Sequence, residues 1–349
     1  MSAIAASACA AQPDRTGWAS HPPCFLKATN PMSLTHALAT SFAGALAAAL
    51  ISVSPAPALA GDAQTTTPEP SHYLGNAPTV EKFDWGNDPT CVPTPEHPNP
   101  VVLVPGTWAG AHDMAPLGTY LQGHGYCVYS LTYGIDNSSI SGKAMDIKGT
   151  ITSHPAGGLG DMHASADQLH DFVHNVATNT DAGAASGNVD IVAHSQGGAI
   201  TRMMLNKYGA KEVSHVVTLS GTNHGTTELG VSALQPNRDP LLRTAGNNIL
   251  GTAPMQQVTD SDVVAHLNSI PDTEPGVDYT VLATETDIAS TPPRASYLTA
   301  GPGATVRNVM IQDVCPVGLY YSHDDMRDKA PSHEFVDNAL SGRAVQCTS

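Results

Sequence analysis

From Val101 onward, short β-branched and apolar runs alternate with stretches whose apolar positions follow helical spacing. Val101-Val102-Leu103-Val104 is continuously apolar, the pattern of a strand covered on both faces, as in a parallel sheet. Tyr126-Cys127-Val128-Tyr129-Ser130-Leu131 predicts a second strand, with Leu117, Tyr120 and Leu121 at short helical spacing before it. Ala166, Leu169, Phe172, Val173 and Val176 place one apolar face on a helix over about residues 163–176. Strands follow at Val189–Ala193, Val213–Leu219, Tyr279–Ala283 and Thr305–Ile311, with helices at Ala199–Leu205 and Glu334–Leu340. This alternation predicts a mostly parallel α/β sheet with helices on both faces. The polar, Gly-rich residues 134–162 read as loops at a site mouth. Residues 226–277, long, polar and weakly periodic, read as a lid or cap.

The region before Gly61 has another character. Leu34 to Ala60 contains no Asp, Glu, Lys or Arg, and Phe42 to Ile51 has the length of a signal-peptide apolar region. Ala58-Leu59-Ala60 then supplies an A-x-A cleavage pattern. Residues 1–60 are therefore expected to be a leader, with translation starting at Met1 or Met32, and the product to be secreted. Pro55 and Pro57 break the run too early for a membrane span. Residues 61–90 read as an extended N-terminal segment, and residues 91–349 as the folded domain. Beyond the leader stand Cys91, Cys127, Cys315 and Cys347, an even set that suits an exported protein with two disulfides. Three connectivities are open, and the local pairing of Cys91 with Cys127 and Cys315 with Cys347 is preferred.

Thirty-one acidic residues against 15 Lys and Arg leave a formal net charge of −16. Such a balance excludes a nucleic-acid partner and electrostatic docking on anionic membranes. The chemistry centres on Ala193-His194-Ser195-Gln196-Gly197, which lies between the Val189 strand and the Ala199 helix. A serine in a sharp strand–turn–helix junction is the setting of the G-x-S-x-G nucleophile, with Ala193 in the first glycine position. Small residues on either side let strand and helix approach. A serine hydroxyl needs a base, and the base needs an orienting carboxylate. In this topology they follow in the order acid, then histidine, after the late strands. Glu285 and Asp287 follow the 279–283 strand, and His323 and His333 follow the 305–311 strand. Asp287 and His323 are the choices here, because His333 adjoins the terminal helix, where a capping or packing role fits. Oxyanion donors are expected from the Gln196 N–H and from Thr107 after Pro105-Gly106, with the Thr107 hydroxyl as a further donor. His194 reads as a neighbour filling the turn, and His224 as satisfying a loop backbone.

With these residues in place, the chain resembles the secreted bacterial class 2 triacylglycerol lipases and related esterases. The resemblance runs over roughly Asp84 to Leu340. It is carried by Asp88-Pro89-Thr90-Cys91, Val104-Pro105-Gly106-Thr107, Gly125-Tyr126-Cys127-Val128 and Val189 to Gly198. Further on, Thr222-Asn223-His224-Gly225-Thr226-Thr227, Pro275 to Thr280, and Cys315-Pro316 leading to His323 extend it. It implies an α/β-hydrolase fold, cleavage of carboxylic esters, a triad of Ser195, Asp287 and His323, and an oxyanion hole at Thr107 and Gln196. The chain departs from the family at Pro105, where histidine is usual, and at Ala193, where glycine is usual. Its 251–257 stretch also lacks the cysteine pair of many relatives.

The expected protein is a monomer whose partner is a lipid or other ester substrate. No cofactor is required, and His323-Asp324-Asp325 and Asp161-Met162-His163 lack metal-ligand spacing. Two rivals share the residues: an acyltransferase or polyester depolymerase with the same triad, and a catalytically silent binding protein on the same scaffold.

Overall fold

The computed structural model of the protein describes residues 82–152, 154–315 and 320–347. The leader expected over residues 1–60 lies outside them. Six strands form one sheet: β1 (Val101–Val104), β2 (Val128–Ser130), β3 (Val189–His194), β4 (Val213–Leu219), β5 (Asp278–Ala283) and β6 (Thr305–Met310). All neighbouring pairs are parallel, in the order β2-β1-β3-β4-β5-β6. The helices, in chain order, are α1 (Ala115–Gly123), α2 (Ile140–Thr152), α3 (Met162–Asn179), α4 (Asp181–Ser186), α5 (Gln196–Tyr208), α6 (Pro240–Leu250), α7 (Thr252–Gln256), α8 (Asp262–Leu267), α9 (Ile311–Val314), α10 (Asp325–Asp328) and α11 (Ala330–Leu340). Among the described residues no helix is long and apolar enough to cross a membrane.

Strand alternation divides the core. Val102 and Val104 point into one apolar cluster with Leu169, Phe172 and Val173 of α3 and Ile200 and Met203 of α5. Val101 and Leu103 point into the other, with Leu117 and Leu121 of α1 and Phe335 and Val336 of α11. Both faces of the sheet are covered, which accounts for the unbroken apolar run of β1. Asp161 starts α3 by accepting the His163 and Ala164 amides on Oδ1, at 2.9 and 3.1 Å. Cys91 is bonded to Cys127 just before β2, and Cys315 after α9 is bonded to Cys347 near the C-terminus.

One segment departs from the sequence reading. Residues 134–162 are not all loop, because α2 occupies thirteen of them. Its apolar positions Ile140, Ala144, Ile147 and Ile151 do recur at helical spacing, but they face solvent, while Ser141 and Gly142 are buried. Gly142 and Gly149 dilute the helix signal further. Within residues 226–277, a 3-10 turn at Glu228–Leu234 and the helices α6, α7 and α8 replace irregular chain.

A polar rung crosses the sheet at its N-terminal edge, where Asp190, His215, Asp278 and Thr305 stand in register. His215 Nδ1 lies 2.8 Å from Asp190 Oδ1. That hydrogen bond raises the His215 pKa above its ordinary value, against the opposing effect of burial. A histidine with a raised folded-state pKa adds stability that is complete below its unfolded value. The increment is lost as pH rises through the folded value. His215→Gln keeps a donor but cannot titrate. It is expected to cost about 1–2 kcal/mol near pH 5.5 and much less near pH 9. Urea denaturation at the two pH values is the check, and an equal cost at both would contradict it.

Candidate active site

The strand order reverses between β1 and β3, so the loops leaving their C-terminal ends diverge and open a crevice. Ser195 sits there, between β3 and α5, with φ 56° and ψ −124°. This is the left-handed half of backbone space, which side chains adopt only under constraint. Ser195 N–H donates to Leu219 O at 3.0 Å, and Ser195 O accepts from the Gly198 and Thr222 amides. Space around it depends on two glycines. A Cβ on Gly106 would fall 2.7 Å from Ser195 Cβ, and one on Gly197 would fall 2.6 Å from Val104 O. Ala193 is fully buried in the core beside α5.

The loop after β5 brings Asp287 to His323, and Glu285 remains exposed at the surface. His323 Nδ1 is 2.8 Å from Asp287 Oδ2 and 3.0 Å from Oδ1. Oδ1 also accepts the Ala289 and Ser290 amides, each at 2.8 Å. Burial of Asp287 pushes its pKa up. The bond and charge of His323, the Ser220 hydroxyl and the Ser290 amide overcome that and bring it below the ordinary carboxylate value. The loop that carries His323 is fastened to the loop that carries Asp287 through Tyr321. Its carbonyl accepts from the Thr284 and Thr286 hydroxyls, each at 2.7 Å, and its amide donates to Thr286 Oγ1 at 3.0 Å. Ser322 and Asp325 then cap each other around His323. His333 stands apart, with Nε2–H donating to Arg327 O at 2.7 Å.

On the opposite side of Ser195, Thr107 follows β1. Its Oγ1 accepts from Gln196 Nε2 at 2.9 Å and from Gln257 Nε2 at 3.1 Å. Two acceptances use both lone pairs, so the hydroxyl proton is left to point outward as a donor. Gln196 opens α5, so its N–H belongs to the first helical turn, which has no intrahelical acceptor. Its side chain also reaches Gly158 O, and Tyr133 OH donates to Gln196 Oε1 and Pro105 O. Gln257, Tyr133, Thr284 and Thr286 escaped the sequence reading. Their roles rest on side-chain bonds between distant segments, which carry no local pattern. Trp108 and Ile288, next to Thr107 and Asp287 in the chain, expose apolar side chains. Among the described residues, no group of three or more His, Cys, Asp or Glu side chains is arranged to hold a metal ion.

Behind the turn, Arg202 of α5 is buried with its guanidinium on Asn223 O, Leu267 O and Asp272 Oδ1. Asp272 also takes His224 Nε2–H at 2.9 Å and the Thr299 amide at 2.8 Å. His224 Nδ1 faces Ala295 O at 2.8 Å. Burial raises the Asp272 pKa, but the His224 bond, the Thr299 amide and the Arg202 charge together lower it. Asp272→Asn leaves the Arg202 charge buried without its counter-ion. It is expected to cost about 3 kcal/mol, read as a shift in the urea midpoint, and an unchanged midpoint would refute the account.

Residues 100–267 match the family model described as palmitoyl protein thioesterase. Among solved structures, the chain is similar to lipase B of Aspergillus fumigatus, with a TM-score of 0.52 and 18% identity. The match covers 83% of this chain and 63% of the fungal one, so the chain spans less than two thirds of that enzyme's length. It is also similar to the mature Bacillus licheniformis lipase BlEst2 (TM-score 0.46, 15% identity, 72% of this chain and 96% of that one). A monoacylglycerol lipase of Paleococcus ferrophilus gives a TM-score of 0.44 at 15% identity, over 70% of this chain and 96% of that one. With its six parallel strands, helices on both faces and a serine at the strand–helix turn after β3, the chain has the α/β-hydrolase fold.

Proposed function

We propose that the protein is a secreted serine hydrolase that cleaves carboxylic esters through an acyl-enzyme. The observation that supports this reading is the Asp287–His323 pair, whose His323 carbonyl lies 3.1 Å from Nε2 of His194, the residue directly before the strained Ser195. Asp287 accepts the proton on His323 Nδ1, which leaves Nε2 unprotonated and available as a base. Nε2 takes the Ser195 proton as Oγ attacks the ester carbonyl. The carbonyl oxygen gains the negative charge, and the Gln196 N–H, the Thr107 N–H and the Thr107 O–H receive it. Collapse of this intermediate breaks the ester C–O bond, and His323 returns the proton to the departing alcohol. Water then adds to the acyl-enzyme with His323 again as base. The second collapse frees the acid and restores Ser195.

The palmitoyl protein thioesterase match favours a second reading, cleavage of acyl thioesters. The matched residues include Thr107 and Ser195. The acylation geometry is the same for both. A thiolate leaves without a proton, whereas an alkoxide needs one from His323. Esters and thioesters with the same acyl chain therefore separate the two. A carboxylic-ester hydrolase turns over both, and a thioesterase leaves the oxygen ester nearly untouched. The polar character of residues 226–277 supports short or medium acyl chains, and a p-nitrophenyl series from acetate to stearate tests this. An acyltransferase differs in deacylation, where an added alcohol would compete with water for the acyl group.

Ser195→Ala is expected to lower p-nitrophenyl ester turnover at least about 10³-fold, and Asp287→Asn about 10³- to 10⁴-fold. Glu285→Gln should stay within about twofold, because that carboxylate is solvated rather than joined to His323. Undiminished turnover in Ser195→Ala would remove Ser195 as the nucleophile, and absence of turnover in the wild type would leave the silent scaffold as the better account. Loss confined to Glu285→Gln would move the acid assignment.

A further inference from the structure

His194, the last residue of β3, lies directly before Ser195, and its ring is buried to 2% exposure. The ring centroid is 4.7 Å from that of His323, tilted by 51°. Nε2 is 3.1 Å from the main-chain oxygen of His323. A carbonyl only accepts, so Nε2 carries the hydrogen. Burial foremost, with the nearby His323 and Arg327 charges, holds the His194 pKa well below its ordinary value. The ring is therefore neutral, protonated on Nε2 and bare on Nδ1. Nδ1 is buried and has no hydrogen-bond partner among the described residues. It faces the Gly106 backbone, 3.4 Å from where a Cβ on that glycine would stand.

A buried acceptor without a donor is unfavourable, and an apolar side chain of the same size would avoid it. What a histidine adds here is a directional N–H aimed at the backbone of the base. The contacts of Tyr321 and His323 with Thr284, Thr286 and Asp287 fix the base loop relative to the acid loop. The His194 bond fixes it relative to the nucleophile strand. Strand β3 ends in His194 and the turn begins at Ser195, so one rigid dipeptide carries the nucleophile and a donor to the base. Neutrality matters as well. A cation at this distance would oppose the positive charge that His323 acquires when it takes the serine proton.

We propose that His194 is a positioning residue for His323, setting the separation of base and nucleophile through its Nε2–H bond to the His323 carbonyl. The inference rests on the hydrolase reading above. Glutamine places an amide N–H near the position of histidine Nε2, whereas leucine fills the space without a donor. The test compares His194→Gln and His194→Leu with the full-length wild type in two assays. One is the rate of fluorophosphonate labelling of Ser195, and the other is kcat and KM on one p-nitrophenyl ester. His194→Leu is expected to label and turn over about 10- to 100-fold more slowly with KM within about twofold, and His194→Gln to recover to within about threefold of wild type. Thermal melts verify that each variant is folded. His194→Met, also without a donor, stands in for the leucine variant should that one not fold. A folded donor-less variant labelled at the wild-type rate would overturn the inference alone, as would a glutamine variant as slow as leucine. A wild type that takes no label at all would overturn the hydrolase reading, and this inference with it.

Discussion

The backbone at Ser195 is the constraint on which the rest of the structure turns. Holding a side-chain-bearing residue at φ 56° and ψ −124° costs about 1–3 kcal/mol, so it persists only where neighbours leave no alternative. The amide of Ser195 is committed to β4 through Leu219, and its carbonyl to Gly198 and Thr222. Strand β3 is paired on both sides along its length, and α5 is buried along its first ten residues. A relaxed turn would have to break these contacts together. The same turn dictates where bulk is forbidden, because Gly106 and Gly197 face backbone or the serine itself at distances no Cβ tolerates. Sequence, turn and packing therefore agree at this one position.

Much of the sheet was legible because a parallel strand covered on both faces leaves a mostly apolar run, unbroken at Val101–Val104 and interrupted only by Asp190 at Val189–Ala193. The turn at Ser195 was legible for a related reason, since its small residues stand between a strand pattern and a helix pattern. For the proposed acid and base, Asp287 and His323, the sequence offers chain order and neighbouring elements as the only guide. Chain order leads to the segments after β5 and β6, but whether Asp287 or Glu285 turns inward depends on the amides of Ala289 and Ser290, which no local pattern announces. Helix α2 reads as loop because Gly142, Gly149 and the polar residues around them dilute the helical spacing of Ile140, Ala144, Ile147 and Ile151, which in the structure face solvent. Gln257 and Tyr133 were invisible for a third reason. Their hydrogen bonds reach residues far along the chain, from Gln257 to Thr107 and from Tyr133 to Pro105 and Gln196.

Electrostatically, the site is built from groups whose charge is matched or suppressed. The Asp287 carboxylate is held ionised by amides and by His323, and the buried Arg202 has Asp272 beside it. His194 is kept neutral by burial.

Thr107 is one tie between the start of α5 and the segment between β4 and β5, alongside the Arg202 bonds to Leu267 and Asp272. One of its lone pairs is taken by Gln196 at the start of α5, and the other by Gln257, which leaves the helical segment between β4 and β5. Gln257 is itself held there through Thr222 Oγ1 and the Thr226 amide. While both bonds stand, the Thr107 hydroxyl accepts twice and keeps its proton to donate. Withdrawing Gln257 frees a lone pair and lets the hydroxyl rotate, so the proposed third oxyanion donor is lost without any change to Ser195, Asp287 or His323. A displacement of residues 252–257 would then lower kcat by way of the carbonyl oxygen, even where the substrate's acyl chain touches none of them.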